Sequence, residues 1–332
     1  MNLKNFYNTD NYRYLLDYIN LKNGLIRYQK TFLNKKQFKE FINQPHKGIP
    51  LILPLGLNTF DYQKAHSFFK IDKKDLLKIY QTKNINYKPI KQYFNTDKVY
   101  CVNARPKKNL SKIINNVKKH NLDVKKKINN LKKKYSLIAF QTRNIPHLGH
   151  EQILKTAIKR YGKLIINPII GPKKSGDINF TYLNKIYKYI IKKKYKNKIE
   201  FLPIYSSFFY AGPREAVHHA NLRYQFGIKN FIIGRDHAGS NKNYDPFDSI
   251  NFAKKLKNKI NVNFFYSYGA YYCTKCRNYV LKQCNLHKKT YLKDISGTNF
   301  RKKILKKKIF LHADKDLQNY IKKINSKNLF LK

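Results

Sequence analysis

Gln141, Thr142, Arg143 and Asn144 stand in an unbroken row, and His147 and His150 follow, three residues apart with Gly149 between them. The row offers two amides, a hydroxyl, a guanidinium and two imidazoles, a set suited to holding oxyanions. Arginine's planar fork matches the oxygens of a tetrahedral anion in a bidentate way. Ahead of the row, Ser136-Leu137-Ile138-Ala139-Phe140 reads as a buried strand, and residues 152–158 carry apolar positions at helical spacing. The polar residues therefore sit where a strand hands over to a helix, whose N-terminus supplies free backbone N–H groups and a positive dipole. Two histidines at a helix start are often only solvated. Four consecutive polar residues, Gln141 to Asn144, so shortly ahead of them make a phosphate-handling loop the better reading.

Two further segments carry the same kind of residue. Residues 211–223 hold Ala211-Gly212-Pro213-Arg214-Glu215-Ala216 and Arg223, and the apolar stretch Asn230-Phe231-Ile232-Ile233 then runs into Gly234-Arg235-Asp236-His237-Ala238-Gly239. Ligands of open α/β sheets sit at the carboxyl ends of strands, where these clusters fall. The third segment, Ile295-Ser296-Gly297-Thr298 with Arg301, puts two hydroxyls and a cation at a helix start. Such hydroxyls hold phosphate oxygens or simply cap the helix, and the residues alone do not decide between the two.

Taken together, the segments QTRN with HxxH, AGPREA, GRDHAG and ISGTxxR resemble the ATP sulfurylase family, of the HxGH nucleotidylyltransferases. Gly171-Pro172-Lys173-Lys174-Ser175-Gly176-Asp177-Ile178 and Tyr244-Asp245-Pro246-Phe247 also resemble family segments. The likeness covers about residues 136–305 and has one departure: Ile145 stands where many members have proline, which follows here as Pro146. The resemblance implies attack of sulfate on the α-phosphorus of ATP, giving adenylyl sulfate and pyrophosphate, or the reverse. It implies that Thr142, Arg143 and Asn144 are catalytic, with His147 and His150 stabilising the transition state. Gln141 and Arg143, helped by the Ala238 N–H, would hold sulfate. Gln141 to Asn144, Gly234, Arg235, Asp236, His237, Ser296 and Thr298 would bind ATP, which arrives with Mg²⁺.

The implied fold is α/β: a Rossmann-like catalytic domain over 135–292, a β-rich PUA-like domain over 1–134 and a small helical C-terminal domain over 293–332. The residues themselves predict short strands at 48–54 and 99–102 and an amphipathic helix over 33–42. A homodimer is the oligomer implied by the short bacterial form.

Cys273, Cys276, Cys284 and His287 have the spacing C-x2-C-x7-C-x2-H. Three thiolates and an imidazole can close a tetrahedral Zn²⁺ site. A redox CxxC is the other reading of Cys273 and Cys276, and it leaves Cys284 and His287 without a role. A subset of the family carries a similar zinc element just before ISGT, over 273–287 here.

Composition bounds the rest. The 332 residues include 70 Lys+Arg against 18 Asp+Glu, a formal net charge of +52. Such a balance suggests nucleic acid at first sight. The excess is lysine, scattered with Asn, Ile and Tyr as in an AT-rich coding sequence, and predicts no specific nucleic-acid partner. Only ten cations are arginine, and five of them (Arg143, Arg214, Arg223, Arg235 and Arg301) fall in or beside the three segments. No apolar run reaches the length of a membrane span, no P-loop occurs, and the N-terminus lacks a signal-peptide core, so a cytoplasmic enzyme acting on small molecules is expected. Two other readings remain open: a different HxGH nucleotidylyltransferase acting on a phosphorylated cofactor precursor, and a zinc-containing nucleic-acid-binding protein.

Overall fold

The structure, a computed structural model, describes residues 7, 9–62, 68–94, 97–101, 104–239, 243–295, 297–324 and 328–331. Its centre is a parallel sheet built from runs too apolar to face water. Strands β1 (Leu137–Phe140) and β2 (Lys163–Ile166) are buried along their whole length. They are joined by β3 (Ile199–Phe201), β4 (Asn230–Gly234) and β5 (Asn263–Ser267). The spatial order is β5-β4-β1-β2-β3, every pairing parallel.

Burial on both faces follows from the two-residue period of a strand. Leu137, Ala139, Ile165, Phe231 and Ile233 pack into one core, shared with the N-terminal region. Ile138, Phe140, Leu164, Ile166 and Ile232 pack into the other, shared with the C-terminal helices. The crossovers are helices: α1 (Leu148–Tyr161) between β1 and β2, α2 (Phe180–Lys194) before β3, α3 (Gly212–Gln225) before β4 and α4 (Asp248–Lys255) before β5. Helix α1 stops at Gly162, whose φ of +84° ends the turn without the clash a side chain would bring.

The strand order reverses between β1 and β4. In a sheet of this kind that junction opens a crevice at the carboxyl ends of the strands. The loops at 141–147 and 235–239 leave from those ends, so the fold juxtaposes segments nearly a hundred residues apart.

Beyond β5, an antiparallel sheet forms from β6 (Ala270–Cys273), β7 (Asn278–Leu281) and β8 (Leu292–Asp294), with β6 in the middle. Helices α5 (Gly297–Leu305) and α6 (Lys315–Lys323) follow. Residues 292 and 293, either side of the division expected from the sequence, both lie in β8.

Ahead of the sheet lie helices Asp10–Lys22, Lys35–Ile42, Lys73–Tyr80, Lys88–Tyr93 and Ser111–Lys132. The helix expected over 33–42 is thus present from Lys35, opened by an Asn34–Gln37 capping box. The β content expected here is limited, among the described residues, to two antiparallel pairs, Leu53–Pro54 with Tyr100–Cys101 and Phe60–Tyr62 with Ala104–Pro106, and a single bridge between Phe69 and Tyr100. Pro54 and Pro106 lie at the ends of these strands, where proline's missing N–H stops a ladder.

Candidate active site

Arg143 is the hub of the crevice. Its Nη1 donates to both carboxylate oxygens of Asp177 at 3.1 Å, and its Nη2 donates to the Gly239 carbonyl at 2.8 Å. Asp177 is completely buried while Arg143 keeps 20% of its side chain exposed. Burial works against the guanidinium's charge, but the neighbouring Asp177 carboxylate outweighs it and raises the pKa. A guanidinium has five N–H donors in all, so donors remain on Arg143 for a ligand oxyanion.

Arginines fix the residues around this hub. Arg223, fully buried, donates from Nη2 to Gln141 Oε1 at 2.7 Å and to the Asn167 carbonyl at 2.6 Å. That contact leaves the Gln141 amide NH₂ as a donor, the polarity an oxyanion requires. Arg301 reaches back from α5, donating to Asn144 Oδ1 at 2.7 Å and to the Gly176 carbonyl at 3.0 Å. The third segment is thereby tied to the first. Thr142 accepts the Asn144 N–H at 3.2 Å, and the buried Tyr187 hydroxyl donates to the Asn144 carbonyl at 3.1 Å, which stiffens the turn.

His147 is the N-cap of α1, and the two histidines form a reciprocal capping box. His147 Nδ1 accepts the His150 N–H at 3.2 Å, and His150 Nδ1 accepts the His147 N–H at 3.4 Å. Accepting at Nδ1 puts the proton of each neutral ring on Nε2, which makes it a donor. Burial, then Arg235, pushes the His150 pKa down to about 4; burial, His150 and Arg235 hold His147 well below the ordinary value. The ring centroids are 3.9 Å apart. Gly149 is required by this packing: a Cβ there would lie 3.0 Å from the His147 ring and from the Ala270 Cβ. The Leu148 N–H, another free donor of the helix start, is taken by the His312 carbonyl at 2.8 Å.

The loop after β4 carries left-handed backbone at Asp236 (φ +56°) and Ala238 (φ +57°). Non-glycine residues adopt this region at a cost of about 1–2 kcal/mol, so surrounding contacts must impose it. They do: the Asp236 N–H donates to the Pro246 carbonyl, and the Ala238 carbonyl accepts from Gly212. Arg235 extends to Asp294 on β8 at 2.7 Å, a half-exposed pair worth about 0–1 kcal/mol. The His237 ring packs behind the loop, its Nε2 3.3 Å from His219 Nδ1. Thr298 lies exposed on the first turn of α5, and among the described residues no contact joins it to the others. Ser296 lies outside the described residues.

Several further residues matter here: Lys173 and Asp177 stand in the family-like segment 171–178 without a role that the sequence states, and Tyr210 stands outside every segment singled out in the sequence. Asp177, Tyr210 and Lys173 are buried or nearly so around Arg143, and burial pushes the Lys173 and Lys174 pKa values down to about 8. The scarcity of arginine in a lysine-rich chain points to Arg223, and to Arg301 together with the ISGTxxR pattern. Arg214 belongs to the same count but plays a different part. Its Nε, Nη1 and Nη2 donate to the carbonyls of Gly48, Ile42 and Phe41, binding α3 to the N-terminal region.

Cys273, Cys276, Cys284 and His287 converge at one end of the β6–β7 hairpin, all ligand atoms within 4.8 Å of one another. Cys276 Sγ is 3.5 Å from Cys273 Sγ, 3.3 Å from Cys284 Sγ and 3.0 Å from His287 Nδ1. Tetrahedral bonds of about 2.3 Å put ligand atoms about 3.7 Å apart, so the group is shaped for one metal ion. None of the three cysteines is in a disulfide.

The fold and the loops at its carboxyl edge define a nucleotide-binding α/β protein of the doubly wound type. The chain belongs to the ATP-sulfurylase family, whose model matches residues 115–310. It is 33% identical over 265 residues to a sulfate adenylyltransferase of Ignicoccus hospitalis, a match covering 79% of this chain and 66% of that protein. It is 29% identical over 316 residues to the sulfate adenylyltransferase of Pyrococcus abyssi, covering 88% and 83%. Among solved structures it resembles a hexameric APS kinase from Thiobacillus denitrificans, with a TM-score of 0.59 over 95% of this chain and 62% of that one; at 12% identity this likeness shows the fold alone. No helix among the described residues is long and apolar enough to cross a membrane.

Proposed function

We infer that this protein is a sulfate adenylyltransferase: it moves the adenylyl group of ATP onto sulfate, releasing pyrophosphate, or runs the same step backwards to make ATP. A sulfate oxygen bonds to the α-phosphorus as the bond from that phosphorus to the bridging β-phosphate oxygen breaks. Both reactants are anions, so the site must hold them in line against their repulsion, with fixed donors where charge develops. The observation that carries this reading is the gathering of Gln141, Arg143 and Asn144 by Arg223, Asp177 and Arg301, beside two histidines whose Nε2 protons are free of the cap.

In this reading Gln141, Arg143 and the Ala238 backbone hold sulfate. Gly234 to His237 line the nucleotide, and the histidines donate to the phosphates as charge shifts onto pyrophosphate. Thr142 and Asn144 keep the turn rigid between them. Asp236 is the exposed carboxylate of the nucleotide loop, and a Mg²⁺ carried in on the triphosphate would neutralise phosphate oxygens there. The homodimer belongs to the same reading and is tested by light scattering. So does the assignment of residues 1–134 to a PUA-like unit.

ATP–pyrophosphate exchange tests the reaction. Exchange is expected to require sulfate or a tetrahedral mimic such as molybdate. Equal exchange without either would point instead to another nucleotidylyl acceptor.

The metal of the Cys₃His group is zinc in this reading, because soft thiolates in a closed tetrahedral set select it. It would pin the β6–β7 hairpin, whose Ala270 packs on Gly149. Purified protein is expected to hold one zinc per chain, and Cys276→Ser to lower unfolding stability by several kcal/mol, since metal binding is coupled to folding. Zinc-free protein of full stability, by metal analysis and calorimetry, would refute this.

A further inference from the structure

We propose that Tyr210 and Asp177 are positioning residues for Arg143, and that the N-terminal region sets Tyr210 and, through it, the oxyanion-binding guanidinium. This rests on the reading of Arg143 as the sulfate ligand.

The chain of contacts is continuous. The Tyr210 hydroxyl donates to Asp177 Oδ2 at 2.8 Å and accepts the Lys174 N–H at 2.9 Å. Asp177 in turn takes both Nη1 contacts of Arg143, and the guanidinium carbon lies 5.2 Å from the Tyr210 ring centre. One side chain thus fixes the carboxylate and faces the guanidinium. The Asp177 backbone is held as well: its carbonyl accepts the Leu331 N–H at 2.8 Å, and the neighbouring Gly176 N–H donates to the Leu331 carbonyl at 2.8 Å.

Tyr210 itself sits in a backbone region unfavourable for a non-glycine residue, with φ +55°. Such a conformation persists only where the surroundings over-determine it. Here they come largely from the N-terminal region. Tyr87 donates its hydroxyl to the Tyr210 carbonyl at 2.7 Å, and the Tyr93 ring stacks on the Tyr210 ring at 6.2 Å and 14°. From the catalytic side, the Glu215 carboxylate accepts the Phe209 and Ala211 N–H groups, both at 2.9 Å, bracketing the strained residue. A tyrosine held this firmly, with its hydroxyl on the carboxylate that holds the catalytic arginine, does more than fill the core.

Tyr210→Phe keeps the ring and removes the hydroxyl. It is expected to raise KM for sulfate roughly tenfold, the effect of losing one hydrogen bond to a charged partner, while KM for ATP stays within about twofold. Tyr87→Phe, further from the site, should give the same pattern at roughly threefold, and it serves if Tyr210→Phe does not fold. A readout independent of turnover is the Arg143 Nε–H resonance of the ligand-free protein, assigned by its loss in Arg143→Lys. Positioning predicts a protected signal in the parent and faster proton exchange in Tyr210→Phe and Asp177→Asn. An unchanged Arg143 signal in folded variants overturns the proposal whether or not the enzyme uses sulfate. A lowered KM for sulfate in Asp177→Asn overturns it too, since the carboxylate would then be competing with sulfate for the fork. Loss of sulfate dependence in the parent, with the Arg143 signal altered in the variants, would instead remove the sulfate reading and keep the positioning role.

Discussion

Arg143→Lys is expected to lower kcat/KM for sulfate by at least about a hundredfold, some 2.7 kcal/mol of transition-state stabilisation. An ammonium can still meet the buried Asp177, which is why the variant should fold. Removing the charge altogether would leave that carboxylate unpaired at a cost of about 3–5 kcal/mol. What lysine cannot do is hold Asp177 and the Gly239 carbonyl while presenting further coplanar donors to an oxyanion. The loss should therefore appear for sulfate and for its tetrahedral mimics alike, with ATP affinity changed much less. Steady-state kinetics with sulfate and molybdate check this; a near-normal rate removes Arg143 from the reaction.

His150→Ala is expected to lower kcat by on the order of a hundredfold or more, the usual loss for one donor aimed at developing charge. ATP affinity should change only a few-fold, because the start of α1 and the arginines still attract phosphate in the ground state. His147→Ala should act similarly, and the double variant should cost less than the sum, since the two rings share one capping box and one target. Losing a cap also lowers stability by about 1 kcal/mol, which calorimetry separates from the catalytic term. Isothermal titration of ATP beside turnover decides between roles: binding lost in step with rate would make the histidines substrate clamps.

The same pair gives the sign of a pH effect. A free histidine titrates near 6.5, whereas burial and Arg235 hold His150 near 4 in the fold. Between those values the unfolded chain takes up a proton that the folded one does not, so stability is complete above about pH 6.5 and falls as pH drops toward 4. Buried His218, held near 3 chiefly by burial, shifts in the same direction. The midpoint of thermal unfolding should decline over that window.

Much of this site is legible in the sequence because the chemistry is local there. The row from Gln141 to Asn144, the two histidines around Gly149 and the loop from Gly234 to Gly239 each follow an apolar strand, and a strand's end is where a parallel sheet exposes side chains. The Cys₃His spacing is equally local, since a hairpin turn brings both ends of such a set together. The arginine count hints at shape-dependent contacts in a chain whose other cations are lysine.

What the sequence leaves unstated is non-local. Spacing does not reveal that Arg301 reaches Asn144 across 157 positions, or that Arg223 orients Gln141 across 82. Nor does it show that Arg214, in the AGPREA segment, binds the N-terminal region through three of its backbone carbonyls. Holding an oxyanion and holding carbonyls call for the same residue type, a planar cation with several donors, and only tertiary packing shows which partners it meets. The role of Asp177, inside a family-like segment, and the presence of Tyr210, outside every such segment, are unstated for the same reason: their importance comes from hydrogen bonds that run from Tyr210 to Asp177 and from Asp177 to Arg143. The chain itself determined which polar groups stand at the strand ends, through residue type next to an apolar run. The tertiary structure decided how they are held, because a guanidinium's direction is fixed by partners that only packing brings within 3 Å.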